Sequence, residues 1–149
     1  IRKARPDIAL SSDFIVGFPG ETDKDAEDTI ALIEAVGFAQ AFSFKYSARP
    51  GTPAAGHDDQ VDEAVKSERL LRLQAVLDAQ QVSFNAQSLG GVVPVLFERK
   101  GREAGEFVGR TPYLQLVHAA GDGDLIGKTA NVAVNETRRS SLSGVISAA

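Results

Sequence analysis

The fold of this chain is decided at residues 11–22, which read SSDFIVGFPGET. An apolar run of strand type covers residues 8–17 and stops at the turn-forming residues 18–20. Thr22 follows, with Asp25 three residues later, and this spacing predicts a capping box at the start of a helix. The stretch therefore indicates a strand that leads through a tight turn into a capped helix.

The predicted helix carries apolar residues at spacings of four and three, which places them on one buried stripe. These residues are Ala26, Ile30, Ile33 and Val36. Gly37 predicts the end of the helix, because glycine readily adopts the left-handed conformation that closes many helices. A second strand-like run follows at residues 39–46. A strand, a capped helix and a strand within about 40 residues predict a βαβ unit with parallel strands and a right-handed crossover.

The chain changes character after the second strand. The stretch 49–53, which reads RPGTP, predicts a loop, and a long helix is expected from about residue 62 to about residue 87. The apolar face of that helix is expected to hold Leu70, Leu73, Leu77 and Phe84. Three basic residues are expected to be more exposed, namely Lys66, Arg69 and Arg72. Residues 89–91 close the helix and mark the expected domain boundary.

Only short strands and turns are predicted beyond this helix. The candidate strands are 92–97, 106–110, 114–118, 128–134 and 141–146. Glycine-rich turns separate them, and no helical pattern lies between them. Five strands in about 60 residues predict a small antiparallel barrel of the oligonucleotide-binding (OB) type. The fold class is therefore α/β in residues 1–85, followed by all-β in residues 86–149.

The composition is that of an ordinary globular protein, with 43% apolar and 24% charged residues among 149. Its net charge of −4 is unevenly distributed. Residues 1–85 hold 9 basic and 14 acidic residues (net −5), whereas residues 86–149 hold 7 and 6 (net +1). The second part thus lacks the negative field that would repel a polyanion, which permits RNA binding without demonstrating it.

Some residue types and segments are missing from the sequence. No cysteine occurs, which excludes disulfides and thiolate metal sites within these residues. No apolar window is long enough for a membrane span, and the first residues lack the apolar core of a signal peptide. Methionine is absent, also from position 1, so we expect a fragment whose start is missing.

Candidate ligand-binding groups cluster around the first strand, because ligands of parallel α/β folds lie outside the carboxyl ends of the strands. Asp13 is a carboxylate in an otherwise apolar strand, and Gly17 and Gly20 allow the backbone to approach a ligand closely. A ribose diol is one good partner for a buried Asp13, and an arginine or a backbone amide is another. The two glycines are equally compatible with a plain strand-to-helix turn.

No catalytic set is visible in the sequence. The two histidines, His57 and His118, fall in different predicted domains, and neither a phosphate-binding loop nor a Cys/His metal spacing occurs. Composition and spacing alone therefore indicate a ligand-binding α/β piece joined to a small β-barrel.

Four stretches of the sequence resemble a known enzyme family. Residues 12–22 resemble the fifth-strand region of radical-SAM enzymes. The string FSFKYSARPGTPAA at residues 42–55 is similar to the methylthiotransferases among them, and in particular to the MiaB-type branch, the tRNA-2-methylthio-N6-dimethylallyladenosine synthases. GRTPYLQ at residues 109–115 and LIG at residues 125–127 resemble the TRAM domain that ends those enzymes. The resemblance implies the C-terminal part of a radical-SAM partial (β/α) barrel, followed by a TRAM domain built as a five-stranded OB-like barrel.

The resemblance also implies a reaction that these residues can house only in part. The parent enzyme would use S-adenosylmethionine and two [4Fe-4S] clusters to methylthiolate C2 of N6-dimethylallyladenosine beside the tRNA anticodon. All cluster cysteines would lie upstream of Ile1. We therefore expect a cytoplasmic, monomeric piece that contributes to the S-adenosylmethionine site and binds the anticodon stem-loop. It would hold no metal and no catalytic residue of its own, and it would be inactive alone.

Carried over by position, the resemblance implies that Asp13 meets the ribose of S-adenosylmethionine. Ile15 lies two residues on, on the same face of the strand, and would pack on the adenine. Tyr46 and Ser47 would provide a last contact to this nucleoside at the end of the second strand. Glu21 is interpreted as a supporting group at the helix start, where a carboxylate already has a structural reason.

For the β-domain we expect a basic groove with stacking side chains. The RNA-binding candidates are Arg102, Arg110, Tyr113, His118, Lys128 and Arg138. Further cations are available at Arg99, Lys100 and Arg139, and Phe107 is a second candidate for stacking. Where the family carries Asn-Ser-Leu this chain has Ser140, Ser141 and Leu142, which puts any RNA contact of that asparagine in doubt.

Three alternatives remain open on the sequence. One is an enzyme of the same class that modifies threonylcarbamoyl-adenosine in tRNA, and another is one that modifies a ribosomal protein. The basic string at residues 45–50 favours tRNA, because the protein-modifying relatives tend to be more acidic there. The last alternative is a non-catalytic RNA-binding module, against which the βαβ unit argues.

Overall fold

The strand, helix and strand expected at the start of the chain are all present. In the computed structural model, which describes residues 1–147, they are β1 (Ser11–Val16), α1 (Asp23–Val36) and β2 (Gln40–Lys45). β1 and β2 pair in parallel along their whole length. The predicted βαβ unit is therefore confirmed.

Helix α1 is bounded by the two caps that its sequence predicts. Thr22 Oγ1 accepts a hydrogen bond from the Asp25 amide at 3.2 Å, and the Asp25 carboxylate accepts one from the Thr22 amide at 2.9 Å. At the other end Gly37 has a φ of 64°, and its amide donates to the Ile33 carbonyl at 2.9 Å. Both ends follow from chemistry within a few residues of the cap.

The long helix is α2 (Glu63–Ala86), and a short 3₁₀ turn at Pro53–Gly56 precedes it. The first unit has a buried core formed by Val16, Ile33, Leu73 and Leu77. Contacts divide the chain between Gln80 and Gln81, within α2, whereas the sequence predicted a change of fold class after residue 85 and a boundary at residues 89–91. Within residues 1–147, no helix has the length and apolarity needed to cross a membrane.

The second unit, which begins at Gln81, contains the five expected strands. They are β3 (Val92–Lys100), β4 (Glu106–Arg110), β5 (Leu116–Ala120), β6 (Thr129–Thr137) and β7 (Ser141–Ile146). The strands close into a barrel in the order β3-β4-β5-β7-β6, and β6 pairs back to β3. Buried apolar side chains fill the barrel, among them Val95, Phe97, Val117 and Leu142.

One pairing in this barrel contradicts the expected all-antiparallel pattern. β5 and β7 run parallel, with Val117 opposite Leu142, while the other four pairings are antiparallel. Parallel neighbours need a crossover connection rather than a hairpin, and β6 with its two turns provides that connection. The prediction of strand number was correct, and the prediction of a purely antiparallel barrel was wrong.

β5 starts later than its sequence suggested. Leu114, the first residue of the predicted strand, has a φ of 61° and lies in a turn that joins Thr111 to Gln115. Extended strand geometry requires negative φ, so the strand cannot include this residue. Tyr113 therefore also belongs to the turn between β4 and β5.

Candidate functional site

One face of the two-stranded sheet is open, and it carries two of the predicted cofactor-binding residues. The register places Asp13 opposite Phe42 and Ile15 opposite Phe44. Ile15, Phe42 and Phe44 are 58%, 58% and 56% exposed, whereas Val16 on the other face is buried. The alternation of side chains along a strand thus assembles one carboxylate and three apolar side chains on a single surface.

Asp13 does not lie in the buried environment that its apolar strand had suggested. The residue is exposed, and it forms no hydrogen bond or ion pair with any of residues 1–147. Neither of the protein partners considered for it, an arginine or a backbone amide, occupies its carboxylate. This group is therefore available to a ligand that approaches the open face.

Glu21 holds the turn between β1 and α1. Its Oε2 accepts a hydrogen bond from the Gly17 amide at 2.9 Å, and its Oε1 lies 2.7 Å from Nη1 of Arg69. Nη1 of Arg69 also donates to the Glu21 carbonyl at 3.1 Å, and Nη2 donates to Asp23 at 2.7 Å. In this structure Glu21 acts as the supporting group that its place at the helix start suggested.

Arg69 and Lys66 contradict the expectation that the basic residues of α2 are exposed, whereas Arg72 agrees with it. The side chains of Lys66 and Arg69 are 12% and 7% exposed, and that of Glu21, the partner of Arg69, is 13% exposed. Burial acts to lower the pKa of Arg69, but the hydrogen bonds to Asp23 and Glu21 outweigh it and raise the pKa above its ordinary value. The charged guanidinium therefore ties α2 to the turn. Helical spacing could not reveal this, since the partners lie 46 and 48 residues away in sequence.

Other side chains of the protein lie against the two glycines of this turn. Gly17 has a φ of 71°, and a Cβ at this position would overlap the side chain of Lys66. Gly20 has a φ of 83°, and its amide donates to the Asp59 carbonyl at 2.9 Å. A Cβ at Gly20 would lie 2.7 Å from the Asp59 carboxylate. Both glycines are thus required by the strand-to-helix turn and its packing, without any ligand.

Tyr46 and Ser47 lie in a cleft of about 530 Å³ at the carboxyl end of β2. The cleft is lined by residues 43–48 and by three residues of α2, which are Glu63, Lys66 and Leu70. The Tyr46 amide donates to the Val16 carbonyl at 2.8 Å, which extends the pairing of β2 with β1 by one residue. The predicted contacts Asp13, Ile15, Tyr46 and Ser47 therefore lie on neighbouring strands or directly after one.

The Tyr46 side chain is held by its ring and not by its hydroxyl. Its ring packs edge-on against Phe18, with 5.2 Å between centroids, and Nζ of Lys66 lies 5.6 Å from the ring centroid. The hydroxyl is buried, and within the described part of the chain it has no hydrogen-bond partner. An unsatisfied buried hydroxyl costs about 1–3 kcal/mol, so the ring contacts and not the hydroxyl stabilise this side chain.

Three of the predicted RNA-binding cations are already engaged inside the second unit. The contacts are Arg110 Nε to Glu98 at 3.4 Å, Arg138 Nε to Glu136 at 3.0 Å, and Lys128 Nζ to the Asp124 carbonyl at 2.7 Å. Each of these cations lies at the surface of the domain but is shared with an oxygen of the protein. An anionic ligand would have to compete for them.

The two aromatic candidates for stacking are placed differently. Phe107 is 4% exposed and packs against Phe97 in the barrel core, with 6.0 Å between the ring centroids. The expectation that Phe107 can stack on RNA is therefore wrong, since its ring is not accessible. Tyr113 is half-buried and packs edge-on against Phe84 at 6.0 Å.

A polar network behind Tyr113 was not foreseen from the sequence. Asn85 is 3% exposed, and its Oδ1 accepts a hydrogen bond from Gln115 Nε2 at 3.1 Å. Gln115 Oε1 in turn accepts from the Thr111 hydroxyl at 3.2 Å. Two polar residues of the GRTPYLQ string thus stabilise their own turn.

Glu106 connects two of the predicted RNA-binding residues. Its Oε1 lies 2.9 Å from Nδ1 of His118, and its Oε2 accepts a hydrogen bond from the Arg102 amide at 2.8 Å. The hydrogen bond with His118 is the main cause that lowers the pKa of Glu106. Glu106 is not among the candidates identified from the sequence, although the glycine at position 101 indicates a close contact in this turn. A Cβ at Gly101 would collide with the Glu106 carboxylate.

Both units have counterparts among known proteins. Residues 87–146 match the family model of the TRAM domain. The tRNA-2-methylthio-N(6)-dimethylallyladenosine synthases of Novosphingobium aromaticivorans and Maricaulis maris are each 56% identical to this chain over 144 residues. The match covers 97% of this chain and 32% of each relative, so the chain spans about a third of the length of these relatives. Over almost its whole length the chain is therefore similar to the tRNA-2-methylthio-N(6)-dimethylallyladenosine synthases, and its residues 87–146 match the TRAM domain, as the resemblance implied.

Proposed function

We propose that this chain is part of an enzyme that methylthiolates C2 of N6-dimethylallyladenosine beside the tRNA anticodon by radical-SAM chemistry. One observation carries the proposal: the open face of β1 and β2 presents Asp13 and Ile15 together, in a chain 56% identical to such synthases. Residues 1–85 would form the last part of a radical-SAM barrel. Residues 86–149 would hold the tRNA.

The open face suits the nucleoside part of S-adenosylmethionine. The exposed Asp13 carboxylate, which no described residue engages, would accept hydrogen bonds from the ribose hydroxyls. Ile15 is exposed beside it and would pack on the adenine ring. Tyr46 and Ser47 lie at the end of the neighbouring strand, and the exposed Ser47 would offer its hydroxyl group there.

The chain does not fit the iron–sulfur clusters of such an enzyme. Cluster ligands are usually cysteine thiolates, and the sequence contains no cysteine. Residues 1–147 also hold no group of three or more His, Cys, Asp or Glu placed to bind a metal ion. S-adenosylmethionine, when bound, would supply the 5′-deoxyadenosyl radical and the methyl group. The clusters would come from the rest of the enzyme, and this piece would be inactive alone.

The barrel domain would bind the anticodon stem-loop, with the enzyme acting as a cytoplasmic monomer. The match of residues 87–146 to the TRAM domain and the tRNA in the names of both relatives support this role. The same names specify dimethylallyladenosine, which favours this substrate over threonylcarbamoyl-adenosine or a ribosomal protein. Surface cations of the domain would meet the phosphates, and those already shared with a protein oxygen would contribute less.

The S-adenosylmethionine site can be tested in a chimera, in which this chain replaces the matching third of the Novosphingobium synthase. Asp13→Ala removes the carboxylate from the open face, and Asp28→Ala on the exposed surface of α1 is the matched control. Loss of a hydrogen bond to a charged group is worth about 1.5–3 kcal/mol, so we expect about 10- to 100-fold weaker binding for Asp13→Ala only. Equilibrium dialysis with labelled S-adenosylmethionine measures both. Unchanged affinity in Asp13→Ala, or an equal loss in Asp28→Ala, would contradict the proposal.

A further inference from the structure

We infer that the phosphate-binding surface of the second unit is the hairpin between β3 and β4, an inference that rests on the RNA binding proposed above. The hairpin carries the exposed cations Arg99, Lys100 and Arg102. None of the three forms an ion pair with the part of the chain that the structure describes. We name these three residues the hairpin cations.

The hairpin cations differ from the other basic residues of the domain because their side chains form no ion pair or hydrogen bond with the described residues. Arg110, Lys128 and Arg138 each already contact an oxygen of the protein. The hairpin region also holds three carboxylates. Glu98 contacts Arg110 at 3.4 Å, so a cation outside the hairpin offsets its charge. Glu103 and Glu106 remain against the three hairpin cations, which leaves the hairpin with a net charge of +1.

The backbone of the hairpin is fixed in one shape. Glu106 Oε2 accepts hydrogen bonds from the amides of Arg102 at 2.8 Å and Glu103 at 3.4 Å. The Gly101 amide donates to the Glu106 carbonyl at 2.7 Å. Because a side chain at Gly101 would collide with this carboxylate, glycine is required for the carboxylate to reach the turn. One acidic residue thus ties together three consecutive residues of the turn.

The fixed turn is also anchored to the neighbouring elements of the barrel. His118 on β5 contacts the other oxygen of Glu106, and the Gly121 amide donates to the Gly105 carbonyl at 2.9 Å. Glu106 therefore acts as a positioning residue for the hairpin cations. Pre-ordering of this kind lowers the conformational entropy lost when the cations meet a ligand.

The chemistry of the hairpin fits a nucleic-acid backbone more than it fits bases. The one aromatic residue of the segment 98–110, Phe107, is buried in the barrel core and cannot stack. Charged side chains on a fixed turn can contact phosphates, and such contacts are independent of sequence and strongly dependent on salt. We therefore expect the hairpin to contribute affinity and salt dependence but little base preference.

The surface is tested with the whole 149-residue chain and a fluorescent anticodon stem-loop RNA, whose binding is followed by anisotropy at several salt concentrations. The hairpin variant changes three residues: Arg99→Gln, Lys100→Gln and Arg102→Gln. The matched control removes the same charge through Arg110→Gln, Lys128→Gln and Arg138→Gln. Each lost phosphate contact lowers the slope of log affinity against log salt by about 0.7–0.9, so the hairpin variant should lose about 2–3 in slope. The control should lose less than about 1.

The outcomes separate this inference from the proposed function. If the unchanged chain does not bind the RNA at low salt, the RNA-binding role fails and the inference fails with it. If the unchanged chain binds but the hairpin variant keeps its slope, or the control loses as much, only the inference is overturned.

The positioning role of Glu106 can be tested separately, because its charge and its hydrogen bonds predict opposite changes in RNA affinity when it is removed. Glu106→Ala removes a negative charge beside the hairpin cations, which by electrostatics alone would strengthen RNA binding. Loss of the clamp on Arg102 should instead weaken binding several-fold in the same anisotropy assay. Circular dichroism on the variant confirms that the barrel is intact. Tighter binding by a folded Glu106→Ala chain would overturn the positioning role.

Discussion

Removal of Arg69 is the sharpest test of how the first unit is held together. Arg69→Met keeps the length of the side chain but leaves the Glu21 carboxylate, 13% exposed, without its cation. Breaking a buried ion pair costs about 3–5 kcal/mol, because the remaining charge stays buried. Here Glu21 keeps its hydrogen bond from Gly17, and Asp23 is 96% exposed. The expected loss of stability therefore lies at the lower end, about 3 kcal/mol.

Hydrogen–deuterium exchange measures this loss locally, in peptides from β1 and α1 of the whole chain. Since 1.4 kcal/mol corresponds to a factor of ten, amides protected by this contact should exchange about 100-fold faster in Arg69→Met. Arg72→Met is the control, because Arg72 pairs with Glu27 at the surface and such pairs contribute little. Adding Glu21→Gln to Arg69→Met should restore part of the protection, since no charge is then left buried. Unchanged protection in Arg69→Met, or an equal loss in Arg72→Met, would refute this account of the turn.

Three further predictions concern single residues. Gly17→Ala should destabilise the first unit by about 1–3 kcal/mol, because a φ of 71° disfavours a side chain and the added methyl group overlaps Lys66. Adding Lys66→Ala removes the overlap but not the backbone strain, so urea unfolding should show that only part of the lost stability returns. Leu114→Gly should stabilise the second unit by up to about 1 kcal/mol in thermal unfolding, because leucine is strained at a φ of 61°, whereas a loss would contradict the strain. The hydrogen bond with His118 holds the pKa of Glu106 below 4.5, so its stabilising effect is complete above pH 4.5 and is lost as the pH falls through the lower folded pKa. The stability difference between the unchanged chain and Glu106→Gln should therefore shrink below pH 4.5, and a difference that persists in acid would argue against it.

Local chemistry made much of the fold predictable. The capping box of Thr22 and Asp25 and the glycine cap at Gly37 involve residues within four positions of each other, so spacing alone was enough. The two-residue period of a strand likewise predicts that Asp13 and Ile15 share one face, as the register shows.

Contacts between residues far apart in sequence were not predictable in the same way. Arg69 looks like a surface residue on its helix, and only the fold brings it to Glu21, 48 residues earlier. The parallel pairing of β5 with β7 depends on the route of the whole chain and not on the composition of either strand. The contact of Glu106 with His118 joins two neighbouring strands, and its geometry follows from the register between them.

The sequence predicted that the candidate residues Asp13 and Ile15 share one face, but it did not predict the environment of that face. An aspartate between apolar residues suggests a buried carboxylate. The alternation of side chains along a strand, however, does not indicate which face of a two-stranded sheet is covered. In the structure α1 and α2 contribute to the core beneath the face that carries Val16, and Asp13 lies on the open one. The sequence shows which residues of the barrel are basic. Which of them are paired with an acidic side chain depends on the positions of their neighbours in the fold.

The most direct test of the central claim is product formation by the chimera, in which this chain replaces the matching third of the Novosphingobium synthase. The measurement is mass spectrometry of nucleosides from tRNA that carries N6-dimethylallyladenosine, after incubation with the reconstituted chimera. We predict the 2-methylthio derivative of that nucleoside, and less of it from the Asp13→Ala chimera when S-adenosylmethionine is limiting. A folded chimera that carries its clusters and yields no methylthiolated nucleoside, while the unaltered relative does, would contradict the claim that this chain belongs to such an enzyme.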